Sequence, residues 1–254
     1  IGQAAFLNCI VLSVPAILPE GFEEIGASAF DASAITEVSI PSTLRNIPDA
    51  AFASCPNLAK VTVAKGLVSI ESMAFLKCSA LTEITLPDGV TTIGEHCFES
   101  CGLKNVVLPD SLAEIGESAF ENCRSLATVR LPKTMDKIGR RAFCSCPLTS
   151  IIVPDNITEL GYQTFMQSDY HNGRANGCAQ TIYLPQSLRS LDTAAFSNAI
   201  DLTHYSLYYG GTEQQWTDLL ATCGDGNNCL KECTVVTYNS SRTDAAGFEF
   251  FKLF

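Results

Sequence analysis

The side chains best suited to nucleophilic or metal chemistry in this sequence are its twelve cysteines and three histidines. The histidines, His96, His171 and His204, lie far apart, and no Ser/His/Asp or Cys/His motif links them to a nucleophile. The sequence also has no Gly-rich phosphate loop, His-Glu-x-x-His or EF-hand loop. We therefore predict no catalytic residues, no metal site and no cofactor, and we place His96 and His204 on the surface.

One set of cysteines occurs three residues after a phenylalanine: Cys9, Cys55, Cys78, Cys101, Cys123 and Cys146. We call this set the cysteine column. A buried free cysteine behaves as a small hydrophobic residue, so the column is predicted to be a ladder of thiols in the core. A row of disulfides or soft-metal ligands is the alternative. Ladder side chains run parallel, however, and do not point at each other as a disulfide requires.

Of the remaining cysteines, Cys97 occupies the small-residue position before Phe98 and is also predicted to be a core thiol, whereas the others follow no repeat. Cys223, Cys229 and Cys233 lie close together, but their spacings of six and four do not match the Cys-x-x-Cys pairs of structural zinc sites. Two interpretations stay open: free thiols, or a disulfide that closes the Gly-Asp-Gly-Asn-Asn loop after Cys223. Cys144 and Cys178 have no evident partner.

The cysteine column belongs to a sequence repeat of 22 or 23 residues, which is clearest from Leu81 to Cys101. Its anchors are Phe6, Phe30, Phe52, Phe75, Phe98, Phe120, Phe143, Phe165 and Phe196. Phe98 and Phe120 are predicted to be buried, because the column continues on both sides of them. The last interval is longer, which indicates an insertion within residues 166–179. A fixed period of this length predicts a solenoid, whose units bury their apolar faces against their neighbours.

Most repeats contain an apolar pattern such as Leu-x-x-Ile-x-Leu followed by proline, which predicts a strand with Ile84 and Leu86 inward and Glu83 and Thr85 outward. A glycine such as Gly94 follows in many repeats and is predicted to allow a turn with positive φ. A small residue precedes each anchor phenylalanine, so coils can stack at about 4.8 Å. Nine coils would then form a sheet roughly 40 Å long.

The strand segment resembles that of leucine-rich repeats. The ending Ile-Gly-x-x-Ala-Phe-x-x-Cys resembles the BspA-like subclass found on bacterial surfaces, and the likeness covers residues 1–206. It implies an α/β-type repeat solenoid: a right-handed coil with a parallel strand ladder on one face, mostly strands and turns with short helical turns. It also implies a secreted or cell-surface protein that binds proteins, with adhesion to host or extracellular-matrix proteins in some members.

Residues 207–254 are predicted to form a C-terminal capping region. Thr212 and Gln215 make a capping box ahead of a short helix that carries Trp216, and the segment resembles the Tyr-x-Gly-Thr-x-x-x-Trp ending of several BspA-like proteins. Trp216 is predicted to cover the last apolar face of the solenoid, with carbohydrate stacking as the alternative. Residues 234–238 would add a strand, and the apolar tail 248–254 has no assigned role.

Charge and hydropathy narrow the choice of partners. Sixteen basic and 27 acidic residues give a net charge of −11, which disfavours nucleic acid. No run of 18 apolar residues occurs, so no transmembrane segment is predicted. The chain starts inside a repeat, at Ile1, without a methionine or signal peptide, and we expect a fragment whose targeting segment was removed. Secretion is thus implied by the family resemblance alone.

The candidate partner-binding residues are outward strand positions in the second half of the array, where acidic groups give way to apolar and aromatic ones. They are Asn105, Val107, Thr128, Arg130, Ile152 and Tyr183, with Tyr170 and His171 of the insertion at one rim. The last outward pair is predicted to be His204 and Ser206. These residues could instead simply satisfy β propensity. The predicted function is protein interaction or adhesion without catalysis. The alternatives are a passive stalk and, less favoured, a carbohydrate-binding or hydrolytic protein.

Overall fold

Parallel strands stack coil upon coil along the whole described chain. The computed structural model describes residues 1–167, 179–200, 204–234 and 236–238. Every strand pairing within these residues is parallel, and two short helices occur near the C-terminal end. The predicted repeat solenoid, with mostly strands and turns and a parallel ladder on one face, is confirmed.

A stack of phenylalanine rings fills the centre of the solenoid. Neighbouring anchor rings lie between 5.0 and 5.7 Å apart, and most ring planes are nearly parallel. This spacing is typical of offset stacking. Phe98 and Phe120 are fully buried, as predicted, whereas Phe6 in the first coil is 37% exposed. The Phe column is therefore a continuous core that links each coil only to its two neighbours.

The longer strands of the coils form one face of the solenoid, which we call the strand face. They are β1 (Ala16–Ile17), β2 (Glu37–Ile40), β4 (Lys60–Val63), β6 (Glu83–Thr85), β8 (Asn105–Val107), β11 (Ser150–Ile152), β13 (Thr181–Leu184), β15 (Ser206–Tyr209) and β16 (Val236–Tyr238). Inward residues such as Ile84 and Leu86 are 3% exposed, and the outward Glu83 and Thr85 are exposed, which confirms the predicted alternation.

The strand face is divided into separate ladders, contrary to the single sheet that we predicted. The hydrogen-bonded groups are β1-β2-β4, β6-β8 and β11-β13-β15-β16. Residues 127–131 form no strand, although they carry the repeat pattern. Their side chains still alternate, because Arg130 is exposed and Val129 is packed partly against the core. Apolar alternation fixes which side chains point inward, but it does not guarantee backbone pairing with both neighbours.

Shorter strands line a second side of the coils. They are β3 (Asn46–Ile47), β5 (Ser69–Ile70), β7 (Thr92–Ile93), β9 (Glu114–Ile115), β10 (Lys137–Ile138), β12 (Glu159–Leu160) and β14 (Ser190–Leu191). Five of them pair in the order β10-β9-β7-β5-β3, and β12 pairs with β14. Their inward residues, including Ile93 and Ile115, are fully buried.

The repeat glycines do not adopt positive φ, so that prediction was wrong. Positive φ occurs instead two residues before and after the anchor phenylalanine, as at Ser28 (54°) and Ala32 (55°). Each of these is the third residue of a β-turn, closed by Ala29 N–H to Gly26 O and by Ser33 N–H to Phe30 O. Gly94 is needed for another reason. A Cβ there would lie 2.6 Å from the backbone of Glu71, one coil earlier.

Backbone hydrogen bonds beside the phenylalanine stack all point in one direction. The amides of His96, Phe98 and Ser100 donate to carbonyl oxygens of the next coil, at 2.8, 2.7 and 2.8 Å. The same three positions donate in the coils on either side. At these three positions each coil therefore offers N–H groups toward the C-terminal end, whereas amides elsewhere in the coil, such as that of Gly94, donate to the preceding coil.

The C-terminal end of the solenoid is covered by α1 (Glu213–Thr222) and α2 (Asn228–Lys231). Thr212 and Gln215 form the predicted capping box, and Trp216 is 5% exposed with its ring 5.3 Å from that of Tyr209. The buried Asn227 ends the amide ladder, because its Oδ1 accepts from Phe196 N–H at 2.9 Å. The apolar tail lies outside the described residues, and the division of the chain at residue 206 stays a prediction.

Candidate functional site

The outward residues of the second half of the strand face lie side by side across the strands. Strand register aligns Ile152 with Tyr183, and Tyr183 with Tyr208. Val107 is 55% exposed, Thr128, Arg130 and Asn105 are exposed, and Ile152 and Tyr183 are half-buried. We call the set Val107, Arg130, Ile152, Tyr183 and Tyr208 the strand strip. It presents apolar, aromatic and guanidinium groups and no carboxylate.

Tyr208 was not among the predicted residues. The prediction placed His204 and Ser206 in the last outward pair, but Thr181 pairs with Ser206 and Tyr183 with Tyr208. His204 therefore precedes the strand, and the predicted register was wrong by two residues. The strand of the last coil is followed by Gly210, where most other coils have proline, so the residue that marks the end of the strand was missing from the sequence. The correct register could have been found from Leu207 and Tyr209, which alternate with Tyr208 in the sequence and are both 2% exposed.

Two residues of the strand strip pair with aspartates of the preceding coil. Arg130 Nη2 lies 3.4 Å from Asp110 Oδ1, and the Tyr183 hydroxyl donates to Asp155 Oδ1 at 3.0 Å. Each aspartate follows the proline that closes its strand. Burial, and next the charge of Asp155, raise the pKa of the Tyr183 hydroxyl, so this group stays a neutral donor at ordinary pH. The hydrogen bond thus orients Tyr183 before any partner arrives, and the exposed Arg130 lies beside Asp110 in a solvent-screened ion pair.

The predicted rim of the site cannot be placed. Tyr170 and His171 lie outside the described residues, so the contribution of the insertion stays a prediction.

The cysteine column is a core ladder, as predicted, and its thiols are free. Only Cys9, in the first coil, is half-buried. Each of the other members donates to the carbonyl oxygen of a phenylalanine one coil earlier, at 3.0 to 3.1 Å. Burial raises the pKa of the Cys101 and Cys146 thiols well above their usual range. The column therefore connects coils and is not suited to nucleophilic chemistry.

The three C-terminal cysteines are free thiols as well. Cys223, Cys229 and Cys233 form no disulfide, so the loop is not closed as one interpretation proposed. Cys229 donates to Phe196 O at 2.8 Å and therefore continues the cysteine column into the cap. The sequence did not reveal this role because α1 and its loop separate Cys229 from the last repeat. Cys144, which follows an anchor phenylalanine directly, is buried with its Sγ 3.7 Å from Ser145 Oγ.

Titratable side chains near the phenylalanine turns pair with each other along the stack. His96 Nδ1 lies 2.6 Å from Glu99 Oε2, and Arg141 bonds both Glu121 and Gln163. Burial opposes ionisation of Glu121, but hydrogen bonds from Arg141 and Ser118 lower the pKa of its carboxyl below the usual value. Because these groups satisfy each other, His96 with Glu99 within one coil and Arg141 with its partners across coils, we assign them a structural role.

The described part of the chain contains neither a cluster of metal-binding side chains nor a membrane-spanning helix. There, no cluster of three or more His, Cys, Asp or Glu side chains is arranged to hold a metal ion. No helix within the described ranges has both the length and the apolar character needed to cross a bilayer.

The coil length, the parallel strand face and the Phe and Cys columns define a leucine-rich repeat solenoid, the class of protein whose open strand face generally binds other proteins. The particular family follows from the repeat sequence. A family model described as BspA type leucine rich repeat region matches in six copies over residues 1–101 and 46–172. The chain therefore belongs to the BspA-type leucine-rich repeat family.

Several solved leucine-rich repeat proteins from bacteria are similar to this chain. A leucine-rich repeat protein of T. pallidum is 26% identical, with 73% of this chain and 76% of that one covered and a TM-score of 0.47. One from Bacteroides ovatus is 21% identical over 94% and 74%, with a TM-score of 0.44. A cell surface protein from Faecalibacterium prausnitzii is 23% identical over 86% and 78%, with a TM-score of 0.39. The curated proteins yielded no match.

Proposed function

We propose that this chain is a secreted or cell-surface module that binds a protein through the strand strip. The observation that supports the proposal most is the hydrogen bond that orients Tyr183 on Asp155, with Arg130 paired to Asp110 on the same face. Arginine and tyrosine supply much of the binding energy in protein interfaces. Side chains that are already oriented lose less conformational entropy on binding. A host or extracellular-matrix protein is the proposed partner class, and adhesion is the proposed role.

The composition of the strip supports a protein partner. Val107 and Ile152 provide apolar contact area beside the two side chains paired with aspartates, and Tyr208 extends the aromatic area of Tyr183 by one coil. Aromatic and arginine residues at the centre, with charged groups displaced to a rim, are typical of protein interfaces. Here the carboxylates of Asp110 and Asp155 form that rim. A passive stalk would have no need of oriented side chains on this face.

The test is capture of soluble extracellular-matrix proteins by the immobilised chain, with affinity measured by surface plasmon resonance. The variant Arg130→Glu with Tyr183→Ala should weaken capture by about 2 kcal/mol or more, roughly 30-fold in Kd, because both central side chains are lost. Its melting temperature should stay close to that of the parent chain, since both residues face outward.

A matched control is available on another side of the coils. Arg140 lies 5.5 Å above the ring of Tyr162, so Arg140→Glu with Tyr162→Ala repeats the same chemistry away from the strand strip. This control should bind as the parent does. Unchanged capture by the strip variant, together with loss in the control, would move the binding site off the strand face.

A further inference from the structure

We propose that a slot in the strand face, between β4 and β6, binds an arginine side chain of the protein partner. This inference rests on the proposed function and adds a second anchoring position in the first half of the array. The slot has a volume of about 390 Å³ and is lined by residues of both strands together with Ala59 and Pro87.

The slot arises where the backbone ladder is interrupted. β4 is hydrogen-bonded to β2, and β6 to β8, but β4 and β6 are not bonded to each other. Val61 and Val63 at the floor are therefore half-buried, whereas Val38, the register partner of Val61, is 2% exposed. Solvent thus reaches apolar side chains whose counterparts in most other coils of the strand face are buried, and covering them is favourable.

The charges at the mouth of the slot favour a cation. Glu83 is exposed on one wall, and no basic side chain in the described part of the chain pairs with it. Lys60 on the other wall is bonded to Glu37 of β2 at 3.3 Å, on the side of β4 away from Glu83. Glu37, Lys60 and Glu83 together give this end of the slot one net negative charge above an apolar floor, in a chain whose net charge is −11.

Arginine matches this combination of groups. Its methylene stem can lie along apolar surface while the guanidinium remains at the wetter end of the slot. The planar guanidinium can donate two parallel hydrogen bonds to a carboxylate such as that of Glu83. Lysine has a similar stem, but it presents a compact, strongly hydrated charge without this fork geometry. A neutral isostere of arginine would keep the shape and lose the ion pair.

The experiment titrates N-acetyl-arginine amide into the whole chain, with methyl signals of Val61, Val63 and Ile84 followed by NMR. We expect saturable shifts of these methyls with a Kd of about 1–10 mM, the range for a single anchoring side chain. N-acetyl-citrulline amide, which is uncharged, should bind at least about fivefold more weakly, and the lysine analogue should fall between them.

The variant Glu83→Gln should lose the same factor for arginine while its response to citrulline stays unchanged. Glu159→Gln, an exposed glutamate of β12, serves as the matched control and should bind as the parent does. Equal binding of the arginine and citrulline probes, or arginine binding unaffected by Glu83→Gln, would overturn the proposal. So would methyl signals that do not move at all.

The arginine slot and the proposed function of the strand strip can be tested independently of each other. Arg130→Glu with Tyr183→Ala leaves the slot intact, so probe binding should persist in that variant. Loss of partner capture with normal probe binding would then concern the strand strip, and normal capture without probe binding would reject the slot alone.

Discussion

The thiol of Cys101 donates a hydrogen bond to the carbonyl oxygen of Phe75, one coil earlier, at 3.0 Å. The same oxygen also accepts the amide N–H of Cys78, at 3.2 Å. Both acceptor positions of a buried carbonyl are thus used, one within its own coil and one by the next. The cysteine column therefore provides directional polar links between coils in addition to apolar volume.

Removal of this thiol should destabilise the chain. Cys101→Ala is expected to lower the free energy of unfolding by about 1–3 kcal/mol, because a buried carbonyl loses one partner and a small cavity forms. Cys101→Ser should cost less, since a hydroxyl can still donate. Ser33 already occupies this column and is 1% exposed. Urea denaturation of both variants measures the difference.

Cys223→Ala is the control for that series, because Cys223 is half-buried and lies outside the column. It should change the free energy of unfolding by less than about 0.5 kcal/mol. A serine variant of Cys101 as unstable as the alanine variant would contradict the role assigned to the hydrogen bond.

Stability should fall at alkaline pH because of the buried thiols. Burial raises the pKa of the Cys55 thiol from 9.0 to about 11. Between these values the unfolded chain loses its thiol proton and the folded chain keeps it, so rising pH favours unfolding. The loss approaches about 1.4 kcal/mol per pH unit for each such thiol. Below pH 9 the effect should be absent.

Comparison with Cys55→Ser isolates this contribution from lysine and tyrosine titration. The decline in unfolding free energy from pH 9 to 11, measured by urea denaturation, should be shallower in the variant by roughly 1–3 kcal/mol. Parallel curves for parent and variant would show that Cys55 does not titrate differently in the two states.

Gly94 and Met73 should respond to substitution with opposite signs. Gly94→Ala places a Cβ 2.6 Å from the backbone of Glu71, and we expect a loss of about 2 kcal/mol or more, because backbone must shift. Met73 is 39% exposed and has φ of 56°, which is unfavourable for a residue with a side chain.

Met73→Gly should therefore be neutral or stabilising by up to about 1 kcal/mol, since relief of the left-handed conformation slightly exceeds the entropy cost of glycine. Thermal unfolding of the two variants is sufficient to test this. A neutral Gly94→Ala would mean that coils at this point are not as closely spaced as the structure shows.

The period and the apolar columns were enough to predict the solenoid. Phe98, Phe120 and the strand alternation were predicted correctly because burial in a stack depends on side-chain type at fixed spacing, which sequence displays directly. The role of Gly94 was misassigned because a glycine that permits positive φ and one that permits close approach look identical in sequence. Only the distance to Glu71 distinguishes them.

The candidate site was harder to predict, because it depends on relations between coils. The partnership of Tyr183 with Asp155 spans an insertion, and the alignment of Tyr183 with Tyr208 required a register that the last coil does not mark with proline. The slot between β4 and β6 comes from unpaired backbone, for which a regular side-chain pattern carries no signal. Residues 127–131 also carry the regular side-chain pattern, yet they form no strand.

The common direction of the amide ladder gives this one column of hydrogen bonds a polarity along the stack, which amides elsewhere in the coil, such as those of Gly94 and Gly116, oppose by donating to the preceding coil. Peptide dipoles that point the same way add together, as they do in an α-helix. Here the N–H groups point toward the end of the chain, so the positive pole of this column lies at the cap and its negative pole at the first coil. The acceptors that terminate it, Asp225 O and Asn227 Oδ1, are oxygens placed at the positive pole. The polarity of this column is therefore fixed by the chain direction, independently of how surface charges are distributed.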